Sequence, residues 1–253
     1  MQIADYRLQI TDFLDFLDFF AFFDSLNSLD FLPFSNMNYS EIVNKTILFV
    51  KAKLENAEGG HDWFHIERVY KNALQITDGE VCDSTVVKLA ALLHDIADSK
   101  FHNGDETIGP KIAKDFLESE KVDENTIKHV INIIENISFK GGNAKKTFSS
   151  IELDIVQDAD RLDAIGAIGI ARAFNYGGFK NRTIFNPNID PKFGMSKEEY
   201  KKSEAPTINH FYEKLLLLKA KMNTETGKQI AQERHRYMEG FLSQFYAEWD
   251  GEK

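Results

Sequence analysis

An apolar run of the sequence ends in two adjacent side chains of the kind that bind metal ions. Residues 89–93 read Leu-Ala-Ala-Leu-Leu, and His94 and Asp95 follow at once, with a further carboxylate at Asp98. Burying an imidazole and two carboxylates at the end of an apolar helix is costly unless an opposite charge compensates them. A divalent cation suits this set of donor atoms. The stretch therefore predicts half of a metal site.

Two other predicted helices carry matching polar side chains. His65 lies near the start of one helix, and Asp160 lies in the most apolar helix of the chain, flanked by Asp158 and Asp163. Metal sites in helical bundles are built from side chains that project inward from separate helices. Asp163, three residues beyond Asp160, is a candidate to face the same cavity. The candidate metal ligands are His65, His94, Asp95 and Asp160.

The sequence predicts that helices carry these side chains. Apolar residues recur at helical spacing from residue 38 onward, and no strand-like alternation is present. The pattern predicts an all-α helical bundle, with Ser40 as the cap of its first helix. The segment 175–206 holds two adjacent glycines and three of the five prolines, and we expect it to be a functional lid. The longer predicted helices cover about 84–96, 151–174, 208–222 and 224–249.

The composition limits the classes of function. The 40 acidic and 30 basic residues give a formal net charge of −10, which argues against nucleic acid as the main partner. Cys82 is the only cysteine, which excludes an internal disulfide and a zinc–thiolate site and makes a cytoplasmic location the expectation. A small phosphorylated substrate stays compatible with this charge, because a metal and a few cations reverse the sign inside a cleft.

The first 37 residues differ from the rest, since they are rich in Phe and Asp and almost devoid of basic residues. Aspartates interrupt every apolar run, which argues against a signal peptide and a membrane span. A helix that lies on an anionic membrane would need Lys and Arg on its polar face, so we expect no membrane partner. We predict a Phe-rich acidic N-terminal extension over 1–37, helical or partly disordered, and one domain over 38–253.

The candidate ligands occur in motifs that resemble those of the HD-domain metal-dependent phosphohydrolase superfamily. His65 lies in His-x-x-Arg-Val, His94 and Asp95 form an adjacent pair, and Asp160 lies in Asp-Ala-Asp-Arg-Leu-Asp. This order is similar to the H…HD…D signature of that superfamily. Further segments look like its bacterial YpgQ/YedJ-like branch, namely 60–63, 94–98, 157–166, 173–178 and 209–215. The likeness covers about residues 38–250 and leaves the N-terminal extension outside.

The resemblance implies roles for individual residues. His65, His94, Asp95 and Asp160 match the ligands of a divalent ion. Asp98 falls where related nucleotidases place a carboxylate that holds or deprotonates a water, and a brace for the ligands is the alternative role. Asp95 and Asp98 are accordingly the predicted catalytic residues.

Basic side chains are the candidate contacts to substrate. Phosphate prefers Arg and Lys donors, so Lys180, Arg182 and Lys214 are predicted to bind it, with His129 as a further candidate. Arg68 and Arg161 adjoin candidate ligands, and each either pairs with a carboxylate of the site or touches phosphate.

The resemblance implies a metal-dependent hydrolase that converts (deoxy)nucleoside triphosphates to monophosphate and pyrophosphate. Manganese is the expected ion, and Fe, Co, Ni, Zn or Mg would fit the same ligands. Three alternatives stay open: a nucleoside monophosphate phosphatase, a phosphodiesterase, and a non-catalytic module that binds a nucleotide. The expected partner is a small phosphorylated molecule, and self-association into a homo-oligomer is left open.

Overall fold

The computed structural model describes residues 38–55, 62–97, 105, 107–137, 148–196, 199 and 202–253. Within these residues the chain forms helices and no strand, which confirms the predicted all-α class. The predicted extension over 1–37 lies outside the described residues. The nine α-helices of the described part are α1 (Tyr39–Lys53), α2 (Trp63–Thr77), α3 (Ser84–Leu93), α4 (Ile108–Ser119), α5 (Glu124–Asn136), α6 (Ile151–Asp163), α7 (Gly166–Phe179), α8 (Thr207–Glu213) and α9 (Glu225–Trp249), and a 3₁₀-helix (Leu215–Lys221) precedes α9.

Helix α3 lies at the centre of the bundle. Every residue from Val86 to Leu93 except Lys88 is buried, because α1, α2, α5 and α6 all pack against this short helix. A helix that is apolar on all sides has to be covered on all sides. The C-terminal end of α3, where His94 follows Leu93, is therefore fixed inside the bundle. None of the described helices is both long and apolar enough to cross a bilayer.

Side-chain caps determine where the helices begin. The Asn38 side chain accepts a hydrogen bond from the Glu41 N–H, so the cap of α1 lies two residues before the predicted Ser40. The Asp62 side chain accepts from the His65 N–H at 3.0 Å and caps α2. Because Asp62 starts the helix there, His65 falls in its first turn.

The helix predicted over 151–174 is two helices, and this is a correction. Helix α6 ends at Asp163, and α7 begins at Gly166, whose φ of +75° lies in the left-handed region that favours glycine. The turn is tight, because a Cβ added at Gly169 would lie 2.3 Å from the Ala164 carbonyl oxygen. The break turns the chain and brings Arg172 of α7 back to Asp163 at the end of α6.

Two other predicted helices are shorter than expected. Helix α3 ends at Leu93 and leaves His94 as its C-cap, rather than continuing to residue 96. The helix expected over 208–222 is interrupted at Lys214, whose φ of −143° and ψ of −57° are not helical. The ends of the predicted lid segment are tied together, since Arg182 donates to the Ser203 carbonyl at 2.6 Å and the Thr207 N–H donates to the Thr183 carbonyl at 2.9 Å.

Candidate metal centre

Three of the four predicted ligands meet in space. His65 of α2, His94 at the end of α3 and Asp160 of α6 each offer one ligand atom, and these atoms all lie within 4.8 Å of one another. The His65 Nε2 is 3.6 Å from Asp160 Oδ1, and the centroids of the two imidazole rings are 5.5 Å apart. Two atoms that bind one ion at about 2.0–2.2 Å lie at most about 4.4 Å apart, so the His65–Asp160 separation fits a shared ion. His65 is buried, whereas His94 and Asp160 are partly exposed, so the cluster is open on one side.

Hydrogen bonds orient both imidazoles so that the same nitrogen points to the centre. His65 Nδ1 lies 2.8 Å from Asp163 Oδ2 and 3.2 Å from Arg172 Nη1, and the shorter contact, to a carboxylate that only accepts, favours the tautomer with the proton on Nδ1. His94 Nδ1 lies 2.9 Å from the Ala91 carbonyl oxygen, which also only accepts. Both Nε2 atoms are therefore left with a lone pair. A carboxylate or carbonyl behind a metal-binding histidine is the usual way to select this tautomer.

Asp163 is a buried carboxylate with three side-chain donors. Only 1% of its side chain is exposed. Besides His65, it accepts from Arg68 through both Nε (2.5 Å) and Nη2 (3.0 Å), and from Arg172 through Nη1. The expectation that Asp163 lies at the site, and the pairing of Arg68 with a carboxylate there, agree with this arrangement.

The sequence analysis missed Arg172. One signal for it was available, because Arg172 is the only charged residue between Ala164 and Phe179. A lone arginine in an apolar helix needs a buried acceptor. Its acceptor is Asp163, which the turn at Gly166 brings within reach.

The electrostatics of the cluster favour the neutral imidazole. Burial, and then the neighbouring His94, lower the pKa of His65 to about 3, although the carboxylates of Asp160 and Asp95 act in the opposite direction. A neutral imidazole is the form that binds a metal ion. Two imidazole nitrogens and a carboxylate oxygen form a mixed donor set that suits Mn, Fe, Co, Ni or Zn. The residues present thus fit a divalent ion.

Asp95 does not belong to the group of three ligand atoms that lie within 4.8 Å of one another. Its charge nevertheless acts on both His65 and Arg172, so the carboxylate lies beside the cluster. Asp98 lies outside the described residues, and its role as the base stays a prediction.

The predicted substrate contacts lie in two places. Lys180 Nζ and the Arg182 guanidinium carbon lie 5.7 and 5.6 Å from the ring centroid of Tyr176, and the charges of Arg182 and Lys214 both act on His210. Tyr176 is one helical turn beyond Arg172 on α7, so it shares a face with that residue.

His129 lies elsewhere. Its Nε2 is 3.0 Å from Ser150 Oγ and 3.3 Å from Glu152 Oε2, at the start of α6. Asp160 is eight residues further along the same helix, which at 1.5 Å per residue places it about 12 Å away. The structure therefore does not bring His129 to the metal ligands.

Asp158 stabilises the packing of two helices and is not part of the ligand cluster. It is fully buried and accepts from the backbone N–H groups of Asn223 and Thr224, at 2.8–2.9 Å, and from the Thr224 hydroxyl at 2.9 Å. The sequence predicted either a carboxylate or phosphate as the partner of Arg161, and Arg161 donates to Asp158 at 3.0 Å. These bonds fasten the start of α9 to α6.

Comparison with known proteins agrees with this site. A model of the HD domain family matches residues 63–165, a range that contains all four predicted ligands. Protein YpgQ of Bacillus subtilis (strain 168) is 38% identical over 199 residues, which are 78% of this chain and 88% of that protein. The chain therefore belongs to the HD-domain family, and the resemblance found in its motifs is confirmed.

Solved structures agree as well. An HD-superfamily hydrolase from Bacillus thuringiensis has a TM-score of 0.69 and 46% identity, and the match covers 84% of this chain and 99% of that one. Bacillus subtilis YpgQ in complex with ADP has a TM-score of 0.66 and 32% identity, with 84% and 97% covered. The protein is thus an HD-superfamily hydrolase, a metal-dependent phosphohydrolase of the predicted class.

Proposed function

We propose that this hydrolase is a nucleotide diphosphohydrolase, which cuts (deoxy)nucleoside triphosphates to monophosphate and pyrophosphate with Mn²⁺ as the working ion. The observation that carries the proposal is the convergence of His65, His94 and Asp160, with both imidazoles oriented from behind and two arginines within the same site. Support for a nucleotide substrate comes from the related YpgQ, which was crystallised in complex with ADP.

In the proposed reaction, a divalent ion and the side chains of the protein have separate roles. A divalent ion held by His65, His94, Asp95 and Asp160 would supply Lewis acidity for phosphate and for a water molecule. Asp163 holds His65 with its Nε2 toward Asp160 and favours the proton on Nδ1, so that Nε2 would be the atom that binds the ion. Asp98, if it lies beside the ligands as predicted, would take a proton from the attacking water.

The remaining cations would hold the other end of the substrate. Lys180 and Arg182 lie against Tyr176, on the face of α7 that begins at Arg172, and eight helical residues span about 12 Å. Lys214 belongs to the same group of charges, because it and Arg182 both act on His210. We propose these three residues as contacts to substrate phosphate. His129 contacts Ser150 and Glu152, and the proposal assigns it no substrate contact.

Product analysis tests the reaction. The full-length protein is incubated with Mn²⁺ and a panel of nucleoside and deoxynucleoside mono-, di- and triphosphates, and pyrophosphate and orthophosphate are measured separately. Pyrophosphate from triphosphates is the expected product. Asp160→Asn should abolish it, because the variant replaces a metal-binding oxygen, whereas Asp115→Asn on the exposed surface of α4 should keep full activity.

The other outcomes identify the alternatives. Orthophosphate from monophosphates would make the protein a phosphatase, and turnover of phosphodiesters alone would make it a phosphodiesterase. Saturable nucleotide binding without product would favour a non-catalytic binding module. Each of these results would overturn the diphosphohydrolase proposal.

A further inference from the structure

Among the ligands that meet in space, Asp160 differs in how its side chain is held. His65 is oriented by Asp163, and His94 is oriented by the Ala91 carbonyl. The Asp160 carboxylate lies 3.6 Å from His65 Nε2 and has no hydrogen-bond partner among the residues that the structure describes. The backbone of α6 therefore sets the position of this carboxylate. The contacts that hold that backbone decide where the ligand lies.

Two backbone carbonyls beside Asp160 accept hydrogen bonds from side chains of other helices. The Ala159 carbonyl, one residue before the ligand, accepts from Asn72 Nδ2 of α2 at 3.1 Å. The Leu162 carbonyl, two residues after it, accepts from Arg234 Nη1 of α9 at 2.6 Å. Arg234 Nη2 donates in turn to Asn72 Oδ1 at 2.8 Å. Asn72 and Arg234, which we call the carbonyl clamp, thus join α2, α6 and α9 through three hydrogen bonds.

The carbonyl clamp adds a second contact point between the two helices that carry His65 and Asp160. His65 and the buried Asn72 are seven residues apart and lie on the same face of α2, because seven residues make almost two helical turns. His65 contacts Asp163 at the end of α6, and Asn72 contacts Ala159 one turn earlier. Two contact points about 10 Å apart along α2 restrict both the distance and the rotation of α6 against it. Asp160 lies between the two contacted residues of α6, so its distance from His65 depends on both points.

Arg234 places a positive charge at the C-terminal end of α6. Within the part of the chain that the structure describes, its guanidinium has no carboxylate partner and donates to two neutral acceptors. The last carbonyls of a helix lack N–H partners from a following turn and form the negative end of the helix dipole, which favours a cation at Leu162. The side chain also lies against the turn into α7, since a Cβ added at Gly166 would lie 3.0 Å from Arg234 Cγ. A side chain without the guanidinium would lose the bonds to both α2 and α6.

We infer that Asn72 and Arg234 are positioning residues of the metal centre. They hold the turn of α6 that carries Asp160 at the distance from His65 that a shared ion requires. The inference rests on the metal centre of the proposed function and on no particular substrate. Neither side chain is a candidate ligand, and both act through backbone carbonyls that flank Asp160. Their removal should therefore weaken ion binding in a protein that stays folded.

The test measures ion binding and folding separately on the full-length protein. The variants are Arg234→Gln, Arg234→Lys, Asn72→Leu and the double variant Asn72→Leu with Arg234→Gln. Calorimetry gives the affinity for Mn²⁺ at a temperature at which urea unfolding of the metal-free protein shows every variant to be folded. Arg236→Gln, on the exposed side of α9, is the control for the loss of charge. Thr224→Ala, which removes a hydrogen bond to Asp158 near the other end of α6, is the control for a loss of stability alone.

The expected results separate positioning from a merely structural role. Arg234→Gln and Asn72→Leu should each weaken Mn²⁺ binding about tenfold, as is typical for groups that orient metal ligands from outside. The double variant should lose little more than either single variant, because the two side chains act as one unit. Arg234→Lys keeps the charge and a donor group and should recover part of the affinity. Arg236→Gln and Thr224→Ala should bind Mn²⁺ as the wild type does.

Three results would overturn the inference: an Mn²⁺ affinity of Arg234→Gln within about twofold of the wild type, an equal loss in Thr224→Ala, or a wild type that binds no Mn²⁺. The outcome is distinguishable from that of the proposed function. If no nucleotide is hydrolysed but Arg234→Gln binds Mn²⁺ more weakly than both controls, the function fails and the inference stands. If triphosphates yield pyrophosphate and Arg234→Gln binds Mn²⁺ as the wild type does, the inference fails alone.

Discussion

Helix α6 contains two buried carboxylates, Asp158 and Asp163, that differ in the kind of donor each one receives. Asp158 accepts from two backbone N–H groups at the start of α9 as well as from side chains, whereas among the described residues Asp163 accepts only from side chains, of α2 and α7. Backbone donors hold a chain segment in place. Side-chain donors instead fix the orientation of an imidazole. Asp158 therefore stabilises the fold, whereas Asp163 orients the candidate metal ligand His65.

The largest effect that we expect on stability comes from Asp158→Ala. The variant leaves two backbone N–H groups and Arg161 without their buried acceptor, and breaking a buried pair costs about 3–5 kcal/mol. Urea unfolding of the full-length protein would measure the loss, with the exposed Asp115→Ala as the control. A loss of less than about 1 kcal/mol would contradict the structural role of Asp158.

Asp163→Asn tests the other carboxylate. An amide at this position cannot accept from His65 and both arginines, so the tautomer of His65 is no longer fixed, and the Mn²⁺ affinity should fall about 10–100-fold. Stability should fall less than in Asp158→Ala, because about a third of each arginine side chain already reaches water. Calorimetric titration with Mn²⁺ measures the affinity, and an unchanged value would remove the distinction between the two carboxylates.

Thr224→Ala makes a smaller change at the Asp158 end. The Thr224 hydroxyl donates to Asp158 at 2.9 Å and accepts from the Gly227 N–H at 3.0 Å, so it caps α9. Losing a cap costs about 0.5–2 kcal/mol. Thr224→Ser keeps the hydroxyl and should retain most of the stability in a paired thermal unfolding experiment. Both variants should bind Mn²⁺ as the wild type does, and a weakened metal affinity would show that the two ends of α6 are coupled.

The smallest effect that we expect is a dependence of stability on pH, caused by His210 beside Lys214 and Arg182. Burial, followed by the charges of Lys214 and Arg182, lowers the pKa of His210 to about 4 from an ordinary 6.5. The unfolded chain therefore binds the extra proton first as the pH falls. The free energy of unfolding is therefore not reduced by this histidine above about pH 6.5. It falls as the pH drops from about 6.5 to 4, with about 1 kcal/mol lost by pH 5.5.

His210→Gln is the matching variant for this pH effect. Urea unfolding of the wild type and the variant at pH 7.5 and 5.5 should show the difference in unfolding free energy shrinking at the lower pH. The comparison subtracts the titration of the metal ligands, which both proteins share. A difference that grows or stays constant would mean that His210 is not held neutral by its surroundings.

Much of the candidate site could be predicted from the sequence, because its ligands stand in short motifs. The His94-Asp95 pair follows an apolar run, and such a pair is costly to bury without a cation. The all-α class followed from the spacing of apolar residues alone. The roles of Asp158 and Asp163 could not be separated in the same way, since both are aspartates in one helix and differ only in which donors the rest of the fold brings to them.

The N-terminal extension and the helix ends show the same limit. Ser40 is the cap that the sequence predicts for α1, but Asn38 is the cap, because either residue type is a good cap and Asn38 has the non-helical backbone (φ −77°, ψ 86°) at the start of the helix. The helix predicted over 151–174 lacked a proline to end it, and a single glycine with a positive φ ended it at Gly166. The Phe-rich acidic extension over residues 1–37 stays a prediction.

The amino-acid sequence by itself determined the helical class and the family, and it predicted a ligand set of which three members meet in space, because periodicity and motif are local properties of the chain. The tertiary structure alone decided which nitrogen of His65 faces the ligand cluster, since that depends on an acceptor from another helix, Asp163. It also decided that Arg172 belongs to the site. The turn at Gly166 folds α7 back over α6, and a residue nine positions beyond Asp163 thereby comes within hydrogen-bonding distance of it.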